Sequence, residues 1–280
     1  MKPYSIRIFL PHGVPDGLRL VEKSNWSGLG IVCPRSLFGE AKSRSEFTRT
    51  GVYVLVGESE TSGLPTVYVG ESDSIRPRLE QHASKKDFWT AVTFFVSKDD
   101  NLNKAHVQYL ESRLVGLAAE AKRCILDNGN VPAPPSLSEA DRADAEGFLD
   151  EMLLCFPIVG LGVFDQPAAP TPGSTSLYLH GDQVDADGYE SGGLFVVRAQ
   201  SKARLEEVPS CPPWIKQLRA TLFGQKVLEQ GVEHHVFTQE YAFRSPSAAA
   251  AVLLGRTCNG RTEWKDGEGR TLKALQEEKG

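Results

Sequence analysis

The segment between residues 51 and 126 constrains the fold more than any other part of the chain. GVYVLVG (51–57) and VYVG (67–70) are rich in β-branched and aromatic residues, and the turn residues of ESETSGLPT separate them. This arrangement predicts a β-hairpin with a long loop. WTAVTFFVS (89–97) has the composition of a third strand.

Two helices are predicted among these strands. The pattern from Ser72 to about His82 indicates a helix with Pro77 in its first turn, where a missing N–H is tolerated. Residues 101–126 form the best amphipathic pattern in the chain. Its apolar residues recur at spacings of three and four: Val107, Leu110, Leu114 and Leu117. The order is therefore strand, strand, helix, strand, long helix, which is a compact α+β unit.

Length and charge limit what the chain can bind. At 280 residues it has room for two or three domains of ordinary size. Its 31 Lys and Arg are outnumbered by 36 Asp and Glu, a net charge of −5. Because phosphate neutralisation drives nucleic-acid binding, this balance excludes affinity built on a broad basic surface, but it permits a local positive cleft. No apolar stretch reaches the roughly 18 residues of a transmembrane helix, so no membrane association is expected.

The cysteines and the first residues indicate the compartment. The cysteines are scattered and form no CxxC pair: Cys33, Cys124, Cys155, Cys211 and Cys258. This spacing predicts buried, reduced thiols, not a zinc ribbon or a disulfide framework. MKPYSIRIFLPHG has no long apolar stretch before a small-residue cleavage site, which argues against a secretory signal. A cytoplasmic protein is expected.

Two further segments flank this unit. Residues 1–45 contain predicted strands at 4–10 and 28–33 and are expected to form a small β element. Residues 131–176 contain three predicted features. They are a helix from its N-cap Ser138 to about Cys155, an apolar strand at 158–164, and a Pro-, Ser- and Thr-rich linker at 166–176.

Residues 177–280 are predicted to form a C-terminal α+β domain. SLYLHG, GGLFVVRAQ and HHVFTQEYAF have strand composition, and PPWIKQLRATLFGQKVL begins with prolines, as helices often do. SPSAAAAVLLG predicts a short helix that ends at Gly255. NGRTEWKDGEGRTL predicts a terminal hairpin around Asp266 and Gly267.

Polar residues at fixed places in the 51–126 unit carry the candidate chemistry. Tyr53 and Tyr68 lie on neighbouring predicted strands, where they can face one another on the same side of a hairpin. Arg78 and His82 are four residues apart and share one helical face. Glu111 lies on the long helix, whose apolar face is expected to dock on the sheet.

This combination suits phosphodiester hydrolysis. Arginine supplies a fixed, always-charged fork for a pentavalent phosphate. One carboxylate with phosphate oxygens and waters is a usual Mg²⁺ arrangement, and the metal offsets charge on the leaving oxygen. A tyrosine or a histidine can take a proton from the attacking water. A hydrolase that uses Mg²⁺ or Mn²⁺ is therefore predicted.

The pattern GVY…YVG, followed by Arg78, His82 and Glu111, resembles the GIY-YIG nuclease domain over roughly residues 48–130. The resemblance implies a domain at 46–130 with an α/β sandwich around a three-stranded antiparallel central sheet. It also implies hydrolysis at one divalent metal.

The resemblance also implies a role for each residue. Tyr53 matches the first motif tyrosine, the proposed general base, and Tyr68 matches the second. Arg78 matches the phosphate-stabilising arginine, and His82 the His or Tyr one helical turn later. Glu111 matches the metal-binding glutamate.

Positions near the motif add to the site or depart from the family pattern. Gly70 ends the second triplet and is expected to help bind substrate. The family's late asparagine, which helps to seat the phosphate, has candidates in Asn128 and Asn130, and Asn128 is preferred. Glu71 and Asp73 stand where many relatives have lysine or polar residues. Acids beside a phosphate cleft weaken substrate binding unless another charge compensates.

The C-terminal segment 237–272 resembles a domain of unknown function often found at the C-terminus of nuclease-like and restriction-associated bacterial proteins. The likeness is most specific in SPSAAAA…G…NG.TEW. An accessory nucleic-acid contact is expected here, because cations outnumber acids between 256 and 273. A protein partner is also considered for the C-terminal domain. The cations are Arg256, Arg261, Lys265, Arg270 and Lys273, and the acids are Glu263, Asp266 and Glu268.

Other polar motifs have simpler interpretations. His234 and His235 alternate faces on a predicted strand, so they cannot bind one metal from the same side. The segment 182–188 is a poor calcium loop because Gln183 would occupy the first ligand position, and a solvated acidic loop is favoured. Trp214 and Trp264 are expected to be core or turn anchors.

Two functions follow from these patterns. The first is a metal-dependent endonuclease of the bacterial cytoplasm, with DNA favoured over RNA as substrate. The second is a catalytically weak or inactive nucleic-acid- or protein-binding module that retains the nuclease fold. The net charge of −5 and the acids Glu71 and Asp73 motivate the second.

Overall fold

A computed structural model of the chain describes residues 3–59, 61–166 and 175–278. It is a mixed α+β structure with two units. The first unit contains Met1–Ser59 and Pro65–Phe164, and the second contains Glu60–Leu64 and Asp165–Gly280. Most of the linker predicted at 166–176 lies outside the described residues.

The first unit is built on a seven-stranded sheet. Its strands are β1 (Ile6–Phe9), β2 (Arg19–Lys23), β3 (Gly28–Pro34), β4 (Gly51–Gly57), β5 (Thr66–Ser72), β6 (Ala91–Ser97) and β7 (Ile125–Leu126). They lie in the order β1-β2-β3-β6-β4-β5-β7, and only β5 and β7 are parallel neighbours. Because β3 pairs with β6, the segments 1–45 and 46–130 contribute strands to one sheet.

Four α-helices complete the first unit. They are α1 (Phe38–Ala41), α2 (Ile75–Lys85), α3 (Lys104–Ala121) and α4 (Glu139–Cys155), with 3₁₀ helices at Arg35–Leu37, Ser45–Thr48 and Pro157–Val159. Nowhere in 3–59, 61–166 or 175–278 is a helix both long and apolar enough to cross a membrane.

Helices cover both faces of this sheet, which explains why its central strands are almost continuously apolar. Side chains alternate between faces along each strand. Val52 and Val54 of β4 pack in one cluster with residues of α3 and α4, and Tyr53 and Leu55 pack in another with α1 and α2. Every side chain of β4 except that of the half-buried Val56 is therefore buried.

The helix ends follow local chemistry. Pro77 is the third residue of α2, inside the first turn as predicted. The Asn103 side chain caps α3 by accepting from the backbone N–H of His106 over 3.0 Å. Ser138 caps α4 in the same way, which confirms the predicted N-cap.

Two expectations for the first unit are wrong in detail. IVGLGVF (158–164) is not a strand: Pro157–Val159 is a 3₁₀ helix, and Gly160 has a φ of 86°, a left-handed conformation that ends it. Leu161 and Phe164 are nevertheless buried in the core. The apolar composition of this segment therefore reflects its burial and does not indicate a β-strand. The strand β2 was not predicted because charged residues interrupt its alternation.

The second unit contains its own seven-stranded sheet. Its strands are β8 (Leu177–Gly181), β9 (Val184–Ser191), β10 (Leu194–Val197), β11 (Lys202–Ala203), β12 (Leu228–Glu229), β13 (His235–Phe237) and β14 (Tyr241–Phe243). The path is β12-β13-β11-β9-β10-β14, and β8 pairs with β9. The helices are α5 (Pro213–Gly224), α6 (Pro246–Leu254), α7 (Gly260–Glu263) and α8 (Leu272–Glu277).

The C-terminal segment differs from the prediction at two places. HHVFTQEYAF forms two short strands, β13 and β14, which have different neighbours in the sheet. The hairpin predicted at 259–272 is formed only in part, because Gly260–Glu263 is helical with Asn259 as its cap. The predicted turn around Asp266 and Gly267 is present: an isolated antiparallel bridge joins Lys265 to Thr271, and the buried Asp266 accepts from the backbone N–H groups of Glu268 and Arg270. Gly255 ends α6 in a left-handed conformation, as predicted.

Cysteine and tryptophan burial test three smaller expectations. All five cysteines are free; four are buried, as predicted, and Cys258 is half-buried. Trp264 is fully buried, as expected for a core anchor. The expectation for Trp214 is wrong, since its side chain is exposed in the first turn of α5.

Candidate active site

Two polar side chains, those of Arg78 and His82, meet at the hydroxyl of Tyr53. This tyrosine lies in β4 and is 0% exposed. Its hydroxyl is 2.7 Å from Nε2 of His82, and Nε of Arg78 donates to it over 3.3 Å. Both partners lie on one face of α2, as their spacing predicts. The hydroxyl therefore links a cation to an imidazole.

The protonation states of this trio follow from burial and charge. Burial, with the positive charges of Arg78 and Lys86, lowers the pKa of His82 to about 4. The ring is therefore neutral near pH 7, and Nε2 can accept the Tyr53 proton. Burial also raises the pKa of Tyr53 above its ordinary value, and Arg78 only partly opposes this. The resting site thus keeps the proton on Tyr53.

Tyr68 forms an aromatic wall next to this trio. Its ring centroid is 6.3 Å from that of Tyr53 and 4.9 Å from that of His82, so the two tyrosines share one face of the hairpin, as predicted. The ammonium of Lys86 lies 4.4 Å from the Tyr68 ring centroid and also pairs with Asp127. This half-buried ring restricts the positions that the His82 ring can take.

Gly70 provides the space that the Tyr53 ring occupies. The two residues face each other across the β4–β5 ladder. A Cβ added at Gly70 would lie 2.3 Å from the Tyr53 hydroxyl oxygen and 2.4 Å from Cζ. Only glycine leaves room for the ring, so Gly70 positions the tyrosine.

Replacing Gly70 with alanine is therefore expected to displace the Tyr53 ring and to lower stability by about 1–3 kcal/mol, the usual cost of overpacking. Gly116→Ala in α3 is the matched control, because a Cβ there would meet no atom within 4 Å. That change should raise stability by about 0.5–1 kcal/mol, since alanine favours helix. Urea unfolding measures both effects, and an unchanged stability for Gly70→Ala would contradict this packing.

Glu111 belongs to the helix on the other side of the sheet from Arg78 and His82. It lies on α3, which packs against the face opposite α2. Burial, and then the charge of Glu71, raise the pKa of Glu111 to about 7, while Arg78 and Lys104 oppose the shift. The positive charge of Arg78 therefore acts on Glu111 as well as on the hydroxyl of Tyr53.

The carboxylate of Glu111 fits a hard cation. Within the described part of the chain, no group forms a hydrogen bond or an ion pair with it. A half-buried carboxylate without a partner is unfavourable unless a proton or a cation neutralises it. The described residues contain no group of three or more His, Cys, Asp or Glu side chains placed to hold a metal. An ion here would therefore depend on one or two carboxylates, waters and substrate oxygens, as Mg²⁺ does.

The acids that follow Gly70 are compensated by a lysine. Lys104, the first residue of α3, donates to Oε2 of Glu71 over 2.8 Å and lies 3.6 Å from Asp73. Sequence reasoning missed Lys104. A signal was present, because a cation in the first turn of a helix opposes the helix dipole and so calls for a local partner.

Asn128 supports the strand that carries Tyr68 and Gly70. Its Oδ1 accepts from the backbone N–H of Val69 over 3.0 Å, and its Nδ2 donates to the backbone oxygen of Val69 over 2.8 Å. The amide thus holds β5 in register beside the site. Asn130, the other candidate, is exposed.

The remaining candidate motifs are occupied by structural contacts. His235 is buried with Nε2 3.0 Å from the backbone oxygen of Leu205. Residues 182–188 form a turn and the start of β9. Most cations of the 256–273 segment bind nearby side chains: Arg256 with Glu263, Arg261 with Gln276, Arg270 with Asp266, and Lys273 with Glu277.

Comparison with known proteins identifies only the C-terminal part. Residues 177–276 match the family model described as a domain of unknown function, DUF4357. This match confirms the expectation of a domain of unknown function in that segment. No curated protein and no solved structure matches the chain. The function of the first unit must therefore be inferred from its own geometry.

Proposed function

We propose that the first unit is a GIY-YIG-type endonuclease that hydrolyses phosphodiester bonds in DNA with one divalent metal, Mg²⁺ or Mn²⁺. The observation that carries this proposal is the convergence of Arg78 and His82 on the buried hydroxyl of Tyr53. A hydroxyl held between a permanent cation and a neutral imidazole is arranged for proton transfer.

The arrangement of the sheet supports the same family. The strands β6, β4 and β5 are antiparallel neighbours, with α2 on one face and α3 on the other. An antiparallel core with helices on both faces is what the resemblance implies, but the sheet also contains β3, β2 and β1 beyond β6 and β7 beyond β5.

In the proposed reaction, Tyr53 acts as general base without becoming a free phenolate. The attacking water gives a proton to the Tyr53 oxygen while Tyr53 passes its own proton to Nε2 of His82. Arg78 stabilises negative charge on the tyrosine oxygen during the transfer. A bound phosphate raises the pKa of His82 from its resting value of about 4, which favours the transfer.

Arg78 has a second task in this scheme. Tyr53 has no exposed surface, whereas Arg78 is exposed and also donates to Gln81 over 2.6 Å. Water reaches the Tyr53 hydroxyl when the terminal nitrogens of the guanidinium turn from Gln81 onto the scissile phosphate, while Nε keeps its hydrogen bond to the Tyr53 oxygen. Binding of the substrate phosphate and access of water to the Tyr53 hydroxyl therefore occur together.

Glu111 would hold the divalent ion, which supplies positive charge opposite the developing charge on the leaving oxygen. The half-buried position of Glu111 keeps its carboxylate away from bulk water and so strengthens its attraction for a cation. We also propose that the reaction takes place in the bacterial cytoplasm and that the C-terminal domain binds a protein partner.

Replacement of Arg78 by alanine tests this proposal. The variant should lose about 100-fold or more in kcat/KM on labelled DNA, since removing one preorganised donor at developing charge has that effect. Arg76→Ala is the matched control, because Arg76 is exposed on the same helix and is not part of the trio. Cleavage that survives Arg78→Ala at the parental rate would overturn the assignment.

Full burial of Tyr53 favours a second candidate, a binding module that keeps the fold without turnover. In that case DNA binds in a salt-sensitive manner, and no divalent ion supports cleavage. The same assay with Mg²⁺ and Mn²⁺ distinguishes the two functions.

A further inference from the structure

We propose that Glu71 is a second carboxylate ligand of the divalent ion held at Glu111. This inference rests on the proposed function, because it concerns the metal of that site. It assigns a role to a residue that departs from the family pattern and would otherwise repel the substrate phosphate.

The strand places Glu71 on the same face of the sheet as Glu111. Val67, Val69 and Glu71 alternate along β5, and the two valines pack in the cluster that contains α3. Glu71 thus continues the row that faces α3. Its side chain is 14% exposed, so the carboxylate is held at the edge of the core and does not extend into solvent.

The helix presents matching groups to that carboxylate. Lys104 and Glu111 are seven residues apart on α3, which is two turns and therefore one face. Lys104 bonds to Oε2 of Glu71. No described residue donates to Oε1 of Glu71, so this oxygen remains available on the face of the sheet that packs against α3.

Charge balance favours a cation between the two glutamates. Two carboxylates on one face repel each other, and the single ammonium of Lys104 is shared between Glu71 and Asp73. Mg²⁺ and Mn²⁺ sites commonly use one or two carboxylates and complete the shell with water and phosphate oxygens. Glu71 and Glu111 meet that requirement.

Manganese binding to the full chain tests the proposal independently of cleavage. Mn²⁺ is titrated calorimetrically into the parent protein, Glu71→Gln, Glu111→Gln and Asp73→Asn. Glu71→Gln is expected to weaken Mn²⁺ binding at least about tenfold, because even outer-shell changes cost that much. Asp73→Asn removes the same charge from a side chain that is 65% exposed, and should weaken binding by a few-fold at most.

Lys104→Met distinguishes a role of Glu71 as a metal ligand from a role in fixing the position of α3 through its ion pair with Lys104. If Glu71 acted only by fixing α3 through Lys104, Glu71→Gln and Lys104→Met would weaken Mn²⁺ binding equally, and the proposal would be overturned. If Glu71 is a ligand, Lys104→Met binds Mn²⁺ at least as tightly as the parent, since it loses a positive charge and keeps both carboxylates. Melting temperatures verify that each variant is folded.

Failure of this inference and failure of the proposed function give different results. If Glu71→Gln binds Mn²⁺ as tightly as the parent protein and the parent protein cleaves DNA, Glu71 is not a metal ligand but the proposed nuclease function stands. If Mn²⁺ binding needs both glutamates but the parent protein cleaves no DNA, the assignment of Glu71 as a ligand is supported and the proposed nuclease function is wrong.

Discussion

Glu111→Gln is expected to abolish metal-dependent cleavage and to raise the melting temperature of the metal-free protein above pH 7. Glutamine has nearly the shape of glutamate but cannot supply the charge that holds a divalent ion. Burial is the main reason that the pKa of Glu111 rises to about 7, so the ionised carboxylate is unfavourable in the folded protein. Removing that charge therefore stabilises the fold.

The stabilising effect must depend on pH in a defined direction. The pKa of Glu111 rises from 4.5 to about 7 on folding, so folding favours the protonated carboxyl. This contribution is fully present below about pH 4.5 and is lost as the pH rises through about 7. The difference in melting temperature between Glu111→Gln and the parent should be smallest at pH 4.5 and largest above pH 7.

Calorimetric melting from pH 4 to 8.5 measures this difference. Asp150→Asn is the control, since Asp150 is exposed on α4 and should show no such pH-dependent gain. Equal melting temperatures for Glu111→Gln and the parent at pH 8 would contradict the burial of this charge. Retained cleavage would contradict its role in metal binding.

Tyr53→Phe is expected to reduce the single-turnover cleavage rate by about 10²–10⁴-fold, the usual contribution of general acid–base catalysis. The phenylalanine ring fits the same space over Gly70 but removes the hydroxyl that joins Arg78 to His82. The buried Nε2 of His82 then loses its donor, which should cost about 1–3 kcal/mol of stability.

Tyr109→Phe controls for the loss of a buried hydroxyl. Tyr109 is buried on α3 and its hydroxyl donates to Glu146, outside the site. Tyr109→Phe is expected to lose about as much stability as Tyr53→Phe but to cleave DNA at the parental rate. If Tyr53→Phe also cleaved at the parental rate, the general base would have to be another group.

The sequence predicts the elements of the site well because their patterns are local. The β-branched and aromatic composition of GVYVLVG identifies β4, and the helical spacing of Val107, Leu110 and Leu114 identifies α3. The four-residue spacing of Arg78 and His82 places both on one face of α2, where they meet Tyr53. Each of these inferences needs only neighbours along the chain.

The features that the sequence does not reveal depend on contacts distant along the chain. The pairing of β3 with β6 joins residues more than fifty positions apart. The pairing of Lys104 with Glu71 depends on how α3 packs on β5. The complete burial of Tyr53 follows from Gly70 on the opposite strand. Tertiary packing therefore causes the pKa shifts of Tyr53, His82 and Glu111, which composition cannot supply.

The acidic net charge of −5 fits the same account. In the proposed function, DNA binding would depend on local charges such as Arg78 and a divalent ion, because the chain as a whole repels phosphate. DNA affinity should accordingly be weak and fall steeply with added salt.

Cleavage of labelled single-stranded, double-stranded and branched DNA by the purified full chain tests the central claim most directly. With Mg²⁺ or Mn²⁺, the account predicts products from at least one of these forms that disappear with a chelator and in Glu111→Gln. No product from any form with either ion, or products that persist in Glu111→Gln, would contradict it.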